Sequence, residues 1–93
     1  MFEPPGETRS LLGPVSVELV DIVGDDSDTC GEWNHNRRII RIRAGLPDEV
    51  AQHTLWHEIM HMILNDSGVS HSLTKRQEEA VCDAYATFKV SAE

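Results

Sequence analysis

The chain has 93 residues, of which 40% are hydrophobic and 26% charged, a globular composition long enough for one domain and too short for a second core. Sixteen acidic residues against eight basic ones give a net charge of −8, which argues against a direct nucleic-acid partner. No apolar run is long enough to span a bilayer, and Cys30 and Cys82 are too few for a disulfide scaffold. The first residues lack the basic start and apolar stretch of a secretory signal, so the expected location is the cytoplasm, with both thiols reduced.

Residues 1–14 carry Pro4, Pro5, Gly6, Gly13 and Pro14 and read as an irregular lead-in. Residues 15–23 begin with alternating apolar and polar positions rich in β-branched side chains, which predicts a strand. Residues 24–29 form a polar, acidic loop. Residues 30–43 read as a hairpin, with one arm over 30–33, a turn near Asn34, His35 and Asn36, and a second arm over 38–43. Ile40 and Ile42 would face one side of it, Arg41 and Arg43 the other. Pro47 suits the first position of a helix over 47–64, with Asp48 and Glu49 at its positive end. Thr74 can cap a second helix over 74–90, with Gln77 as its capping-box partner. Ala80, Val81, Ala84, Tyr85 and Phe88 would form that helix's packing stripe. The expected fold class is α+β, a small antiparallel sheet packed on two helices.

The first of these helices carries His57-Glu58-Ile59-Met60-His61, an H-E-x-x-H motif. Two histidines at i and i+4 lie one turn apart on one helical face, so both imidazoles can reach one ion. Glu58 is rotated about 100° from His57, poorly placed to be a ligand of that ion and well placed to take a proton from a water bound to it. The competing reading is a chance pattern on an amphipathic helix. Against it, the flanks Leu55-Trp56 and Met62-Ile63-Leu64 make the helix apolar nearly all round, and buried polar groups there need something to satisfy them.

A hydrolytic zinc site needs a third protein ligand and one open position. Glu79 and Asp83, at i and i+4 on the second helix, share a face with Cys82, Ala86 and Val90. Glu79 as ligand, with Asp83 bonded to the far nitrogen of a ligating histidine, uses both carboxylates. Glu78 is the rival ligand, but its i+4 neighbour is Cys82, which cannot act as that orienting acceptor.

In order and motif the chain resembles the ImmA/IrrE family of small zinc metallopeptidases, gluzincins found in bacteria, phages and mobile elements. The residues that carry the resemblance are Gly31-Glu32-Trp33, Ile40-Arg41-Ile42, Pro47 leading into His57-Glu58-Ile59-Met60-His61, and Glu79 through Asp83-Ala84-Tyr85-Ala86. They span residues 30–88. Family members often have Gly where this chain has Met60, and many have a further His where it has Asn65. The resemblance implies a minimal zincin-like domain that hydrolyses a peptide bond in a specific cytoplasmic protein, such as a DNA-binding repressor of a phage or mobile element. His57, His61 and Glu79 would hold Zn²⁺, Asp83 would orient a histidine, and Glu58 would be the catalytic base.

Other polar residues have plainer readings beside functional ones. His53 could line the cleft or be a half-exposed helix residue. His71 could help an oxyanion or be a solvated loop residue. Arg37, Arg38, Arg41 and Arg43 read as a solvated strand face balancing nearby acids, or as a guide for an acidic partner segment. Tyr85 reads as packing and Cys82 as a buried core thiol. Two rivals to the enzyme remain: a catalytically silent zincin-like binding or regulatory module, and a domain with a purely structural metal.

Overall fold

Alternating valines and isoleucines build the sheet. The computed structural model describes residues 2–21, 23 and 29–92. Four strands come first: β1 (Glu7–Ser10), β2 (Gly13–Val20), β3 (Gly31–Asn34) and β4 (Ile39–Arg43). Helix α1 (Asp48–Asp66), a 3₁₀ turn (Val69–Ser72) and helix α2 (Lys75–Ala92) follow. The chain is thus a small α+β domain.

The sheet is mixed, not antiparallel as expected. Its strand order is β1-β2-β4-β3. β1 with β2 and β3 with β4 are antiparallel, but β2 and β4 run parallel, with Ser16 opposite Ile39 and Val20 opposite Arg43. The hairpin arm with the stronger apolar face takes the central position, where Ile40 and Ile42 are 0% exposed. β3, half-buried along its length, is left at the edge.

β1 also corrects the reading of residues 1–14 as irregular. Gly6 and Gly13, with φ of 75° and 119°, lie just before and just after β1, so the composition that suggested a loop instead supplies a hairpin's bends. β2 begins at Gly13 rather than residue 15 and ends at Val20. The strand is expected to run on to Val23, which is buried and makes an isolated bridge; Ile22 and residues 24–28 of the expected acidic loop lie outside the described residues. The second arm, expected from residue 38, begins at Ile39, because the β3–β4 turn takes in Arg38, whose φ of 57° is outside the strand region.

The core forms where Val15, Val17, Ile40 and Ile42 meet Leu55, Ile59 and Met62 of α1. Pro47 stands at the α1 N-cap, and Asp48 and Glu49 occupy the first turn. The helix continues past Leu64 because its next two side chains have tertiary partners. The Trp33 indole donates to Asn65 at 2.9 Å, and Arg38 forks onto Asp66 at 2.8 Å from each nitrogen. Thr74 and Gln77 cap α2 reciprocally, at 2.8 and 3.1 Å.

The expected packing stripe of α2 is mostly on its outer face. Ala80, Val81, Ala84 and Phe88 are exposed. Tyr85 does pack, edge-on to Trp56 with centroids 6.2 Å apart, while Lys89 Nζ lies 4.4 Å from the Trp56 ring centroid. The face turned to α1 buries only Cys82 and Ala86. It is also the face that delivers three carboxylates to the α1 histidines. The arginines balance local charge: Arg38 pairs with Asp66, and Arg41 reaches Glu32 at 3.2 Å and Glu18 at 3.7 Å.

Candidate metal centre

The site lies in the seam between α1 and α2. His57 and His61 are one turn apart, with ring centroids separated by 4.8 Å. Their far nitrogens are both taken by carboxylates of α2: His57 Nδ1 is 2.8 Å from Asp83 Oδ1, and His61 Nδ1 is 2.5 Å from Glu78 Oε2. A carboxylate only accepts, so in the tautomer that leaves Nε2 free for an ion each Nδ1 donates to its carboxylate and each Nε2 presents a lone pair.

Those two Nε2 atoms are 3.2 Å apart. Glu79 closes the triangle, with Oε2 3.1 Å from His57 Nε2 and Oε1 2.9 Å from His61 Nε2. Three lone-pair-bearing groups at this spacing repel one another unless a cation or a proton sits among them. With zinc–nitrogen bonds of 2.0–2.1 Å, neighbouring ligands of a tetrahedral ion stand about 3.3 Å apart. The donor set and its spacing therefore fit zinc. The carboxylates of Glu58, Glu78, Glu79 and Asp83 crowd the same place, and a divalent cation offsets that charge.

Cys82 is a second potential donor: His57, His61 and Cys82 each offer one ligand atom within 4.8 Å of the others. Burial, reinforced by Glu78, Glu79, Glu58 and Asp83, pushes its thiol up to about 12. It is a protonated, 0% exposed side chain at neutral pH, whereas Glu79 already presents a carboxylate to both imidazoles. Both cysteines are free thiols.

Glu58 points from the same helix toward β3 and is 7% exposed. Burial drives its carboxyl up to about 7, with His61 and His57 pulling it down and Glu79 and Glu32 adding to the rise. A carboxyl poised there can accept and return a proton near neutral pH. Gly31 lets β3 come this close. A Cβ at that position would stand 2.5 Å from Thr54 Cγ2, 3.1 Å from the Arg41 carbonyl and 3.5 Å from Glu58 Cγ. The Gly-x-aromatic segment is thus the point where an edge strand passes over the H-E-x-x-H helix.

The fold brings together His57, Glu58, His61, Glu79 and Asp83. His53 stands beside them, its ring 6.4 Å from His57, and bonds Thr87 Oγ1 at 3.3 Å. His71 does not join. It is exposed on the 3₁₀ turn and borders a separate cavity of about 300 Å³ with His35, Asn65 and Ser70. Sequence reasoning missed the role of Glu78, which it treated only as a rival ligand. The available signal was the adjacency itself: a carboxylate one residue before the ligand is turned by a third of a helical circle and reaches the other histidine.

Compared with known proteins, the chain matches no protein-family model, no curated protein and no solved structure. No helix among the described residues is long and apolar enough to cross a membrane.

Proposed function

We propose that this chain is a zinc-dependent peptidase with a zincin-like fold, of the ImmA/IrrE type, acting on one specific protein. The observation that supports it most is the triangle of His57 Nε2, His61 Nε2 and the Glu79 carboxylate with sides of 2.9 to 3.2 Å, and buried Glu58 beside it. Zinc held by those three residues would supply Lewis acidity, lowering the pKa of a coordinated water to about 7 and polarising a substrate carbonyl. Asp83 and Glu78 hold the two imidazoles in the tautomer that binds through Nε2. Glu58 takes the proton from the attacking water and passes it to the leaving amine nitrogen. An extended substrate segment pairs with the outer edge of β3, which runs over Glu58. The family resemblance adds a cytoplasmic location and a repressor of a phage or mobile element as the substrate.

A silent binding module is the second reading. It is favoured by the chain's one tyrosine, Tyr85, which stacks on Trp56 and so is not at the cluster as an oxyanion donor. The deciding experiment measures zinc per chain in the purified protein, then maps cleavage in host lysate by wild type and Glu58→Gln. Zinc with cleavage by wild type alone supports the enzyme. Zinc with binding of the same protein by both, and cleavage by neither, supports the module.

A further inference from the structure

One helical turn beyond His61, the face of α1 that carries the histidines reaches Asn65. There it borders the cavity of about 300 Å³ lined by His35, Asn65, Ser70 and His71. His35 follows directly on β3 and His71 stands on the 3₁₀ turn, so the cavity lies between the strand's end and the connection of the two helices. Its walls are rich in donors and poor in free acceptors. An indole nitrogen only donates, so Asn65 Oδ1 is taken by Trp33 at 2.9 Å, and the Asn65 amide nitrogen gives one of its two hydrogens to Ser70 Oγ at 2.7 Å. The exposed His71 ring has no partner among the described residues. His35 approaches Asp66 at 3.5 Å through Nδ1 alone, and its ring stands edge-on to Trp33. The charge around the cavity is opposite to that of the chain. Residues 34–38 and 67–77 carry His35, Arg37, Arg38, His71, Lys75 and Arg76 and no aspartate or glutamate, in a chain of net charge −8. The carboxylates that border these segments are engaged, Asp66 by the Arg38 fork and Glu78 by His61 Nδ1.

We propose that this cavity is a substrate subsite that takes an aspartate or glutamate side chain, with His35 and His71 as its specificity-determining residues. The proposal deepens the peptidase reading and rests on it for the subsite's place relative to the cut. Four residues of helix put Asn65 about 6 Å beyond His61, the length of about two residues of extended chain. A segment paired with the outer edge of β3 passes Asn34 and comes to His35, so its side chain meets one imidazole from the strand and the other from the helix connection. Imidazole N–H groups donate to a carboxylate, and the carboxylate in turn favours the protonated ring, which makes the contact charge-assisted. A lysine or arginine side chain finds the Asn65 oxygen already taken and faces like charge from the surrounding segments.

Two measurements on the full chain with zinc test it. In the first, the imidazole C–H signals of His35 and His71 are followed by NMR during titration with a capped pentapeptide, four alanines around a central glutamate, and with its glutamine twin. Both rings are expected to shift saturably with the glutamate peptide, and the twin to bind roughly fivefold more weakly, the scale of a half-exposed charge-assisted contact. In the second, a mixed peptide library is digested and every cut is mapped by mass spectrometry. Aspartate and glutamate are expected to be enriched about two residues from the cut, on one side of it. His71→Ala should lower that enrichment about threefold or more, and His71→Lys, which keeps a cation there, should retain it. Equal shifts with the two pentapeptides would overturn the subsite. Cutting with no acidic preference near that position would overturn it as well and leave the peptidase reading standing. Selective binding of the glutamate peptide with no cutting of any peptide or protein would uphold the acid-binding cavity and overturn the peptidase reading.

Discussion

Substituting Gly31 with alanine tests the close pass of β3 over α1. The new methyl would sit 2.5 Å from Thr54 Cγ2, where an ordinary carbon contact is about 3.5–4.0 Å. The shortfall is therefore about 1 to 1.5 Å. The methyl cannot slide the other way, because the Arg41 carbonyl of the neighbouring strand stands 3.1 Å away. It is a wedge between a sheet edge and a buried helix, and overpacking of that kind costs about 1–3 kcal/mol. Thr54→Ser removes the opposing methyl and keeps the hydroxyl that bonds the Val50 carbonyl at 2.8 Å. In a double-mutant cycle on chelated protein, followed by urea unfolding, Gly31→Ala should cost about 1–3 kcal/mol alone and clearly less in the Thr54→Ser background. If Gly31→Ala is neutral, or costs the same in both backgrounds, β3 does not pack on α1 as described.

Three further outcomes follow from the same geometry. Glu58→Gln, isosteric and not a ligand, should keep zinc and fold while lowering cleavage of the cognate protein about 10²–10⁴-fold; unchanged cleavage would remove Glu58 as the base. Glu79→Gln should weaken zinc binding more than Glu78→Gln, while Asp83→Ala and Glu78→Gln each cost about 10–100-fold as orienting partners; chelator competition giving three equal losses would undo the division into ligand and partners. The Asp66 carboxyl, 1% exposed, is held below its usual range by the Arg38 fork, against the opposing effect of burial. A depressed carboxyl stabilises the fold above its unfolded pKa of about 3.9 and loses that contribution as pH falls through the folded value. Between pH 5 and 2, measured by unfolding free energy, wild type should therefore lose more stability than Asp66→Asn, and parallel losses would refute the pairing.

The sequence announced the parts of this fold that depend on local spacing. The H-E-x-x-H pair and the inward Ile40 and Ile42 follow from helical and strand period, and the Thr74–Gln77 cap and the start of α1 from local end chemistry; each is where expected, except that Pro47 is the N-cap and the helix begins one residue later, at Asp48. What the sequence left open depends on which element meets which. Parallel pairing of β2 with β4 joins segments some twenty residues apart and leaves no local mark. The outward stripe of α2 was misread because apolar periodicity is a sound guide only when the core is what covers a helix. Here the face turned inward is selected by carboxylates seeking imidazoles. Glu78 was hard to place for the same reason: its partner is His61 on another helix, and its adjacency to Glu79 says which way it turns without saying what it meets.

The small size of the side chains that α2 buries has a dynamic consequence. Cys82 and Ala86, the only α2 side chains fully buried against α1, are small, so apolar burial there contributes on the order of a few kcal/mol. The sheet and α1, by contrast, share seven interlocked apolar residues. Native-state hydrogen exchange should then proceed in two tiers, with α2 amides exchanging through detachment of that helix and β4 amides only through global opening. The candidate centre spans the boundary between the tiers, its imidazoles on the slow side and its carboxylates on the fast one. An ion held across it would weld the two tiers into one, and chelation would divide them again.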